Sequence, residues 1–298
     1  MPPSSDTFEV RDIPGAGRGV IARNYLPTGT HILSTSTLAA HVIFREYRRE
    51  VCAQCFHYNR GRTLPVRGLE TGKVVCSDEC RDQWAEEQGD VGGEAWKALE
   101  AWVKTRSGAV WCTATSQTAG ERPSVEEIEA AWKEVDEGRG VREGESKAEA
   151  KQRRRALQSS ISGPVDPDIL SYLLSGILFV SNHPALYSSD VLALALDPAP
   201  YRTPSDLDSH TTSFLQLANL LPGSLLPHCT TSIAHILVSA ASHNSFGIRA
   251  GSEDDQEEYM GYSLYPDASY FNHSCDPNVG KKRKGRMWEF WTSREVKE

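Results

Sequence analysis

The residues best suited to chemistry are four cysteines that occur in two close pairs. Cys52 and Cys55 have CxxC spacing, and after an interval of twenty residues Cys76 and Cys80 have CxxxC spacing. Thiolates from the two ends of a loop can hold zinc tetrahedrally, and metal binding supplies folding energy that so short a segment does not obtain from burial. The alternative is four unrelated buried or free thiols, because cysteine is also a small core residue. We expect His57, the one histidine nearby, to be an exposed loop residue rather than a ligand.

Two further segments have residue types that suit ligand binding. NHSCDPN at residues 272–278 combines an asparagine that both donates and accepts hydrogen bonds with a histidine, whose backbone can bind an adenine edge, and a turn-fixing proline. GAGRG at residues 15–19 can bring backbone amides close to a ligand, although alone it favours a β-turn without one and it is not the GxGxxG fingerprint. The alternative for NHSCDPN is a polar loop with a capping asparagine and a surface histidine.

Four features together resemble the SET-domain lysine methyltransferases, specifically the SET and MYND group. They occur in that group's order: GAGRG, the cysteine module, HNSFGI at residues 243–248 and SLYPDASYFNHSCDPN at residues 263–278. The cysteine module resembles the MYND zinc finger but lacks the inner CxxC and the terminal HxxxC of that finger. We therefore expect one structural zinc, held by Cys52, Cys55, Cys76 and Cys80, and no second metal.

The resemblance implies a binding site for S-adenosylmethionine and a channel for the substrate lysine. The implied cofactor-binding residues are Gly17, Arg18, Gly19, Asn244, Asn272 and His273. The GAGRG residues would line the methionine end, Asn244 would bond the cofactor's polar groups, and His273 would meet adenine mainly through its backbone. Tyr270 and Phe271 are candidates for the channel wall, although aromatic residues beside a strand end are more often core.

The implied reaction is in-line transfer of a methyl group from a sulfonium to a neutral lysine amine. Because free lysine has a pKa of about 10.4, burial in an apolar channel beside the sulfonium must disfavour its ammonium form. The family's catalytic tyrosine, after a GEEL-like strand, is expected beyond Glu298, so no catalytic residue is assigned. We expect a C-terminally truncated chain in which Cys275 is a free thiol, because the cysteines that share its zinc in the family are missing.

Composition restricts the partners. Hydrophobic residues make up 39% of 298 residues and charged residues 24%, which is typical of a folded globular protein. The net charge of −8 makes nucleic acid an unlikely partner and favours a basic one, namely a protein substrate with a lysine-containing segment. We expect no membrane association and a location in the cytoplasm or nucleus. The zinc module is a possible site for a peptide partner.

The elements that must position these residues indicate an α+β fold: small SET-type sheets interrupted by a zinc finger and a mostly helical insertion. FEVRDI, RGVIA and THILSTST predict a β meander, and YMGYSLY and MWEFWTS predict later strands, with KKRKG at residues 281–285 as a solvated hairpin turn. Apolar periodicity predicts helices from Asp82, after Ser124 and after Asp166, and around residues 190–196, 211–221 and 230–242. We leave Cys112 and Cys229 as core residues or free thiols.

The predicted domain boundaries follow from these elements. Residues 1–51 form the N-terminal part of the SET domain, 52–88 the zinc module, 89–235 the helical insertion with a charged mobile stretch at about 136–163, and 236–298 the C-terminal SET core. Three functions stay open: a protein lysine methyltransferase, a non-catalytic scaffold that binds protein partners, and a methyltransferase whose substrate is not a protein lysine.

Overall fold

Short antiparallel sheets and α-helices make up the chain, as the α+β prediction requires. The computed structural model describes residues 2–68, 70–106, 120–139, 161–249 and 258–297, with the isolated positions 148, 151, 155, 158 and 159. Most of the charged stretch predicted at 136–163 lies outside the described residues, as does Cys112.

Ten strands in the described residues form two-stranded and three-stranded sheets. The strands are β1 Phe8–Ile13, β2 Gly17–Ala22, β3 His31–Thr35, β4 Ala40–Ile43, β5 Val66–Gly68, β6 Lys73–Val75, β7 Ser245–Arg249, β8 Tyr259–Leu264, β9 Val279–Lys284 and β10 Met287–Thr292. The sheets have the orders β1-β2, β3-β10-β9, β4-β8-β7 and β5-β6. Strands from the first fifty residues therefore pair with strands from the last forty.

The predicted N-terminal meander is wrong beyond its first hairpin. β1 and β2 do pair, with Phe8 opposite Ala22, but β3 pairs with β10 and β4 pairs with β8. The predicted turn at residues 281–285 is also wrong, because Lys281, Lys282, Arg283 and Lys284 belong to β9. The turn is the two-residue Gly285–Arg286 link, with Lys284 opposite Met287. Glycine at position 285 suits this turn because its φ is +62°.

Five α-helices of more than ten residues fall within the described ranges. They are α1 Asp78–Thr105, α2 Val125–Arg139, α3 Pro167–Asn182, α4 Pro204–Leu220 and α5 Thr231–Asn244. Shorter helical segments cover Pro184–Leu186, the π-helical turn Tyr187–Val191, and the 3₁₀ turns Gly223–His228 and Ala268–Tyr270. α1 begins four residues before the predicted Asp82 because Ser77 caps it, and it is interrupted at Gly89, whose φ is 63° and ψ is −178°.

Capping signals read from the sequence are confirmed. Ser124 and Glu127 exchange hydrogen bonds at 2.8 and 3.2 Å, which is the capping box expected before α2. The helix predicted at residues 190–196 is wrong, since helical backbone ends at Val191. Leu192 and Ala193 form a turn and residues 195–197 have no regular secondary structure, with Leu192 and Leu196 exposed and Leu194 buried.

The main core lies where α3 packs against β4 and the other helices. Leu170, Leu173, Leu174 and Ile177 of α3 are completely buried, and each such side chain contributes about 1.5–3 kcal/mol. Among the described residues no single helix has the length and apolar composition needed to cross a bilayer. One pair passes that test when taken together, α3 with the segment Pro184–Val191, and the two are bent by 106°.

Candidate functional site

The four predicted cysteines lie together. Their ligand atoms are all within 4.8 Å of one another, with Sγ–Sγ distances of 3.6 Å between Cys55 and Cys76 and 3.5 Å between Cys76 and Cys80. A tetrahedral zinc with Zn–S bonds of about 2.3 Å holds its sulfurs about 3.8 Å apart. The four side chains therefore fit zinc, and the expected grouping of these cysteines is confirmed.

Local backbone bonds set the geometry of this cysteine cluster. Cys52 and Cys55 lie in a tight turn in which the Cys52 amide donates to the His57 carbonyl at 2.9 Å and the Phe56 amide donates to the Cys52 carbonyl at 3.0 Å. Cys76 directly follows β6, and Cys80 lies in the first turn of α1. His57 is exposed and is not among the clustered side chains.

Hydrogen bonds also favour a thiolate at Cys52. The Cys55 thiol lowers the pKa of Cys52 to about 5, aided by the backbone amides of Cys55 and Cys76, which outweigh the opposing effect of burial. Those two amides lie 3.4 Å from the Cys52 sulfur. Because the thiolate is the form that ligates metal, Cys52 is suited to bind zinc, whereas the hydrogen bond with Cys52 raises the pKa of Cys55 and burial raises that of Cys76 to about 11.

The cysteine module, residues 52–88, also contacts the hairpin that follows NHSCDPN. Arg286, in the β9–β10 turn, donates to both carboxylate oxygens of Glu87 on α1 at 2.5 and 2.9 Å. It also donates to the Gln54 side chain at 3.2 Å, inside the first cysteine pair. The Arg283 and Arg286 guanidiniums lie 5.8 and 5.6 Å from the centre of the Phe56 ring. The module is thus packed onto the strand that begins directly after residue 278.

The structure brings the GAGRG and NHSCDPN segments into contact. A Cβ at Gly19 would lie 2.7 Å from Asn272 Nδ2 and 2.6 Å from Ile13 Cδ1, so only glycine permits this approach. Asn272 Nδ2 donates to the Ala16 carbonyl at 3.3 Å. Gly17 has φ +69°, a conformation that side chains rarely adopt. Glycine at position 19 therefore leaves room for a side chain more than 250 residues away in sequence, whereas glycine at position 17 serves the turn conformation alone.

Arg18 and Tyr270 form the next part of this site. The Arg18 guanidinium lies 5.5 Å from the centre of the Tyr270 ring and donates to the Ala193 carbonyl. Tyr270 is 4% exposed, and its hydroxyl has no hydrogen-bond partner among the described residues. Burial raises the pKa of this tyrosine, which therefore remains neutral near pH 7. An unpartnered buried hydroxyl is a ready hydrogen-bonding group for a ligand.

Asn244, at the end of α5, is buried and connected to the same region. Its Nδ2 donates to the Ala195 and Ala240 carbonyls, both at 2.8 Å, and the Ser269 hydroxyl lies 3.4 Å from its backbone carbonyl. Both hydrogens of the Asn244 side-chain amide are therefore donated to carbonyls within the chain. A hydrogen bond from a cofactor to this side chain would be accepted by its Oδ1. That role stays a prediction.

The remaining two predicted residues lie in different surroundings. Phe271 stacks on Phe290 with ring centres 4.1 Å apart and packs in the apolar cluster beside β10. This placement fits a core residue, the alternative to a place in the channel wall. The His273 ring is exposed, with Nε2 3.5 Å from the Cys275 sulfur. The ring thus points to its own loop, and the expected use of the His273 backbone stays a prediction.

Sequence reasoning missed the segment at residues 193–197, which meets both Arg18 and Asn244 through the Ala193 and Ala195 carbonyls. The available signal was an Asp-Pro pair, Asp197 with Pro198, closing the alternating run LALAL. We interpreted that run as a helix, and so its carbonyls were not considered as partners.

A separate charged cavity of about 40 Å³ lies between the cysteine module, α1 and α3. Its polar lining includes Arg45, Arg48, Lys73, Glu100 and Asp168. Burial lowers the pKa of Lys73 to about 7, and burial followed by the charge of Asp166 raises that of Asp168 to about 7. Arg48 donates to Glu100 at 2.8 Å. The predicted cofactor residues, all of which the structure describes, do not line this cavity.

Comparison with known proteins supports the class that the motifs indicate. No family profile matches the chain. A curated protein of Saccharomyces cerevisiae, named "Potential protein lysine methyltransferase SET6", is 24% identical to it. The alignment covers 98% of this chain and 85% of the yeast protein. This distant but nearly full-length similarity supports the SET methyltransferase family for the chain, and the observed mixture of helices and small antiparallel sheets is consistent with it.

Proposed function

We propose that this chain is a SET-type methyltransferase that uses S-adenosylmethionine to methylate a lysine side chain of a protein. The observation that carries the proposal is the contact of GAGRG with NHSCDPN, in which Gly19 leaves room for Asn272. Support also comes from the similarity to a potential protein lysine methyltransferase over 98% of the chain. The contact between the two motifs supports the proposal because they lie at opposite ends of the sequence, and only the resemblance to the family had predicted that they belong to one site.

The residues that would hold the cofactor have suitable chemistry. The glycine backbone around Gly17 and Gly19 can lie close to a ligand, Arg18 supplies a cation and Asn272 an amide beside it. The Tyr270 hydroxyl is a buried group in need of a partner. When bound, S-adenosylmethionine supplies a methyl group on a positively charged sulfur.

The chain's own contribution to the reaction is orientation and desolvation. Tyr270 is buried beneath the Arg18 guanidinium, so a lysine that enters beside it leaves water and approaches a cation. Both effects disfavour the ammonium form of the substrate lysine and favour the neutral amine that accepts a methyl group. Holding the amine in line with the methyl group supplies the remaining rate enhancement through proximity. We propose that the four-cysteine cluster holds one structural zinc that takes no part in this chemistry.

Calorimetric titration with S-adenosylmethionine tests the proposal, because binding depends on residues within the described part of the chain. We expect saturable binding with one site per chain, and no heat beyond dilution with adenosine triphosphate as the control ligand. Absence of binding by a folded sample would overturn the methyltransferase proposal and favour the scaffold alternative. Mass spectrometry of lysine-containing histone and non-histone peptides then tests the substrate class.

A further inference from the structure

Residues 193–197, which we call the strap, connect two predicted cofactor residues that belong to different parts of the chain. The Ala193 carbonyl accepts a hydrogen bond from the Arg18 guanidinium, and the Ala195 carbonyl accepts one from Asn244 Nδ2 at 2.8 Å. The two accepting residues are two positions apart in the same five-residue segment. A shift of the strap would therefore displace the partners of Arg18 and Asn244 together.

Asp197 fixes the strap to α5. Its Oδ2 accepts hydrogen bonds from the Ser242 hydroxyl and from Arg122, both at 2.8 Å. Its Oδ1 accepts one from the Ala199 amide at 2.9 Å, and its own amide donates to the Ser239 carbonyl at 3.2 Å. The residue is 7% exposed, which is unusual for a carboxylate unless it is paired in this way.

Hydrophobic burial alone would hold the strap weakly. Leu192 and Leu196 are 45% and 40% exposed, so Leu194 is the one leucine of the run that is buried in the core. The carboxylate of Asp197 is accordingly the main polar anchor of this segment. Burial opposes its ionisation, but the Ala199 amide, the Ser242 hydroxyl and the positive charges of Arg122 and His243 hold its pKa below the usual value.

We propose that Asp197 is a positioning residue for cofactor binding, acting through the strap carbonyls that orient Arg18 and Asn244. The inference rests on the proposed function and adds a residue that none of the family motifs includes. Asp197 itself makes none of the expected cofactor contacts. Its effect should appear in cofactor affinity together with order in the strap, and not in stability alone.

The test compares Asp197→Ala and Asp197→Asn with the control Asp206→Ala. Asp206 is a carboxylate near a helix start whose side chain is 33% exposed: it accepts from the Arg202 amide at 3.0 Å and lies 3.2 Å from His210 Nδ1. Each protein is titrated calorimetrically with S-adenosylmethionine, and hydrogen–deuterium exchange is followed in peptides that cover residues 192–199. Thermal unfolding shows that each variant is folded.

We expect Asp197→Ala to weaken cofactor binding about tenfold and to speed exchange in the strap, as loss of a charged hydrogen-bond anchor should do. Asp197→Asn keeps an acceptor oxygen and should show smaller changes, while Asp206→Ala should lower the melting temperature without changing affinity or strap exchange. Wild-type affinity in folded Asp197→Ala, or wild-type strap exchange, would overturn the inference. If the proposed function is wrong, the wild type itself will not bind S-adenosylmethionine. That result would overturn the proposed function and this inference together.

Discussion

The cysteine cluster and the predicted cofactor site reach their geometry in different ways. The four thiols come from 29 consecutive residues, and backbone bonds inside the turn at Cys52 and the first turn of α1 set their positions. The predicted cofactor residues come from the β1–β2 hairpin, the end of α5 and the segment after β8, and contacts with distant parts of the chain hold Arg18, Asn244 and Asn272. A local site can be recognised from spacing alone, whereas an assembled site depends on contacts that spacing does not encode.

The largest expected effect follows from removing the local site. The pair Cys76→Ser and Cys80→Ser should reduce bound zinc from about one per chain to none and unfold the module, because metal binding there is folding energy. Zinc measured by plasma mass spectrometry, with exchange in the β5–β6 hairpin, checks this. Cys275→Ser is the matched control, because Cys275 is exposed and lies outside the cluster. Two zinc ions per chain, or none in the wild type, would contradict the expectation.

The assembled site is broken most directly at Gly19. In Gly19→Ala the new methyl group would lie 2.7 Å from Asn272 Nδ2, so the Asn272 side chain must leave its position and S-adenosylmethionine affinity should fall about tenfold or more. Zinc content should stay unchanged. Gly93→Ala in α1 is the control: a Cβ there meets open space, and stability should rise by about 0.5–1 kcal/mol. Equal affinity in both variants would show that this contact does not form part of the cofactor site.

The cysteine module contacts the β9–β10 hairpin through Arg286, which allows the coupling of the module to the hairpin to be measured. A double-mutant cycle with Arg286→Ala and Glu87→Ala should give a coupling free energy of about 1 kcal/mol, because this ion pair is bidentate and Arg286 is 16% exposed. The exposed pair Lys97 and Glu70, at 2.8 Å, is the control cycle and should show no measurable coupling. A null result at Arg286 would make the module and the hairpin independent.

A pH-dependent effect is expected at Asp168, beside the charged cavity. Because its pKa in the folded chain is raised to about 7, mainly by burial, Asp168 favours folding at low pH, and this contribution is lost as pH rises from about 4 through 7. Asp168→Asn keeps the acceptor for the Arg45 amide and should gain stability relative to wild type over that interval. The measurement is urea unfolding at a series of pH values.

Asp206→Asn should change stability with pH in the opposite direction to Asp168→Asn. The pKa of Asp206 is lowered by its hydrogen bond to His210 and by the nearby positive charges, against the effect of burial. Its stabilising contribution is present above the unfolded-state pKa, so this variant should lose stability relative to wild type as pH rises. Parallel pH profiles for the two variants would contradict both assignments.

Local features of the fold could be predicted from the sequence, whereas pairings between distant parts of the chain could not. Caps and periodicity gave α2 and α3 correctly, because Ser124 with Glu127 and Asp166 with Pro167 act within one helical turn. The pairing of β3 with β10 was missed, since an alternating strand does not specify its partner. The basic run at residues 281–284 was taken as a turn because of its charge, but alternate side chains lie over the rings of Phe246 and Phe56 and fit a strand.

The same limit applies to the candidate site. Spacing predicted all four cysteines, and the order of the motifs predicted that GAGRG and NHSCDPN would share one site. The strap and Asp197 were missed because the strap contributes backbone carbonyls, which no side-chain motif records. The Asp-Pro pair at residues 197–198, which closes the run LALAL, is the signal that sequence reasoning could have used.

The sheet pairing has a consequence for synthesis on the ribosome. β3 and β4 are made within the first fifty residues, but their partners β10 and β8 follow more than 200 residues later. At about 5–20 residues per second, the apolar faces of these strands wait on the order of ten seconds or more for their sheets. The cysteine module can acquire metal during that interval. The N-terminal strands therefore stay unpaired for longest, because they are translated first.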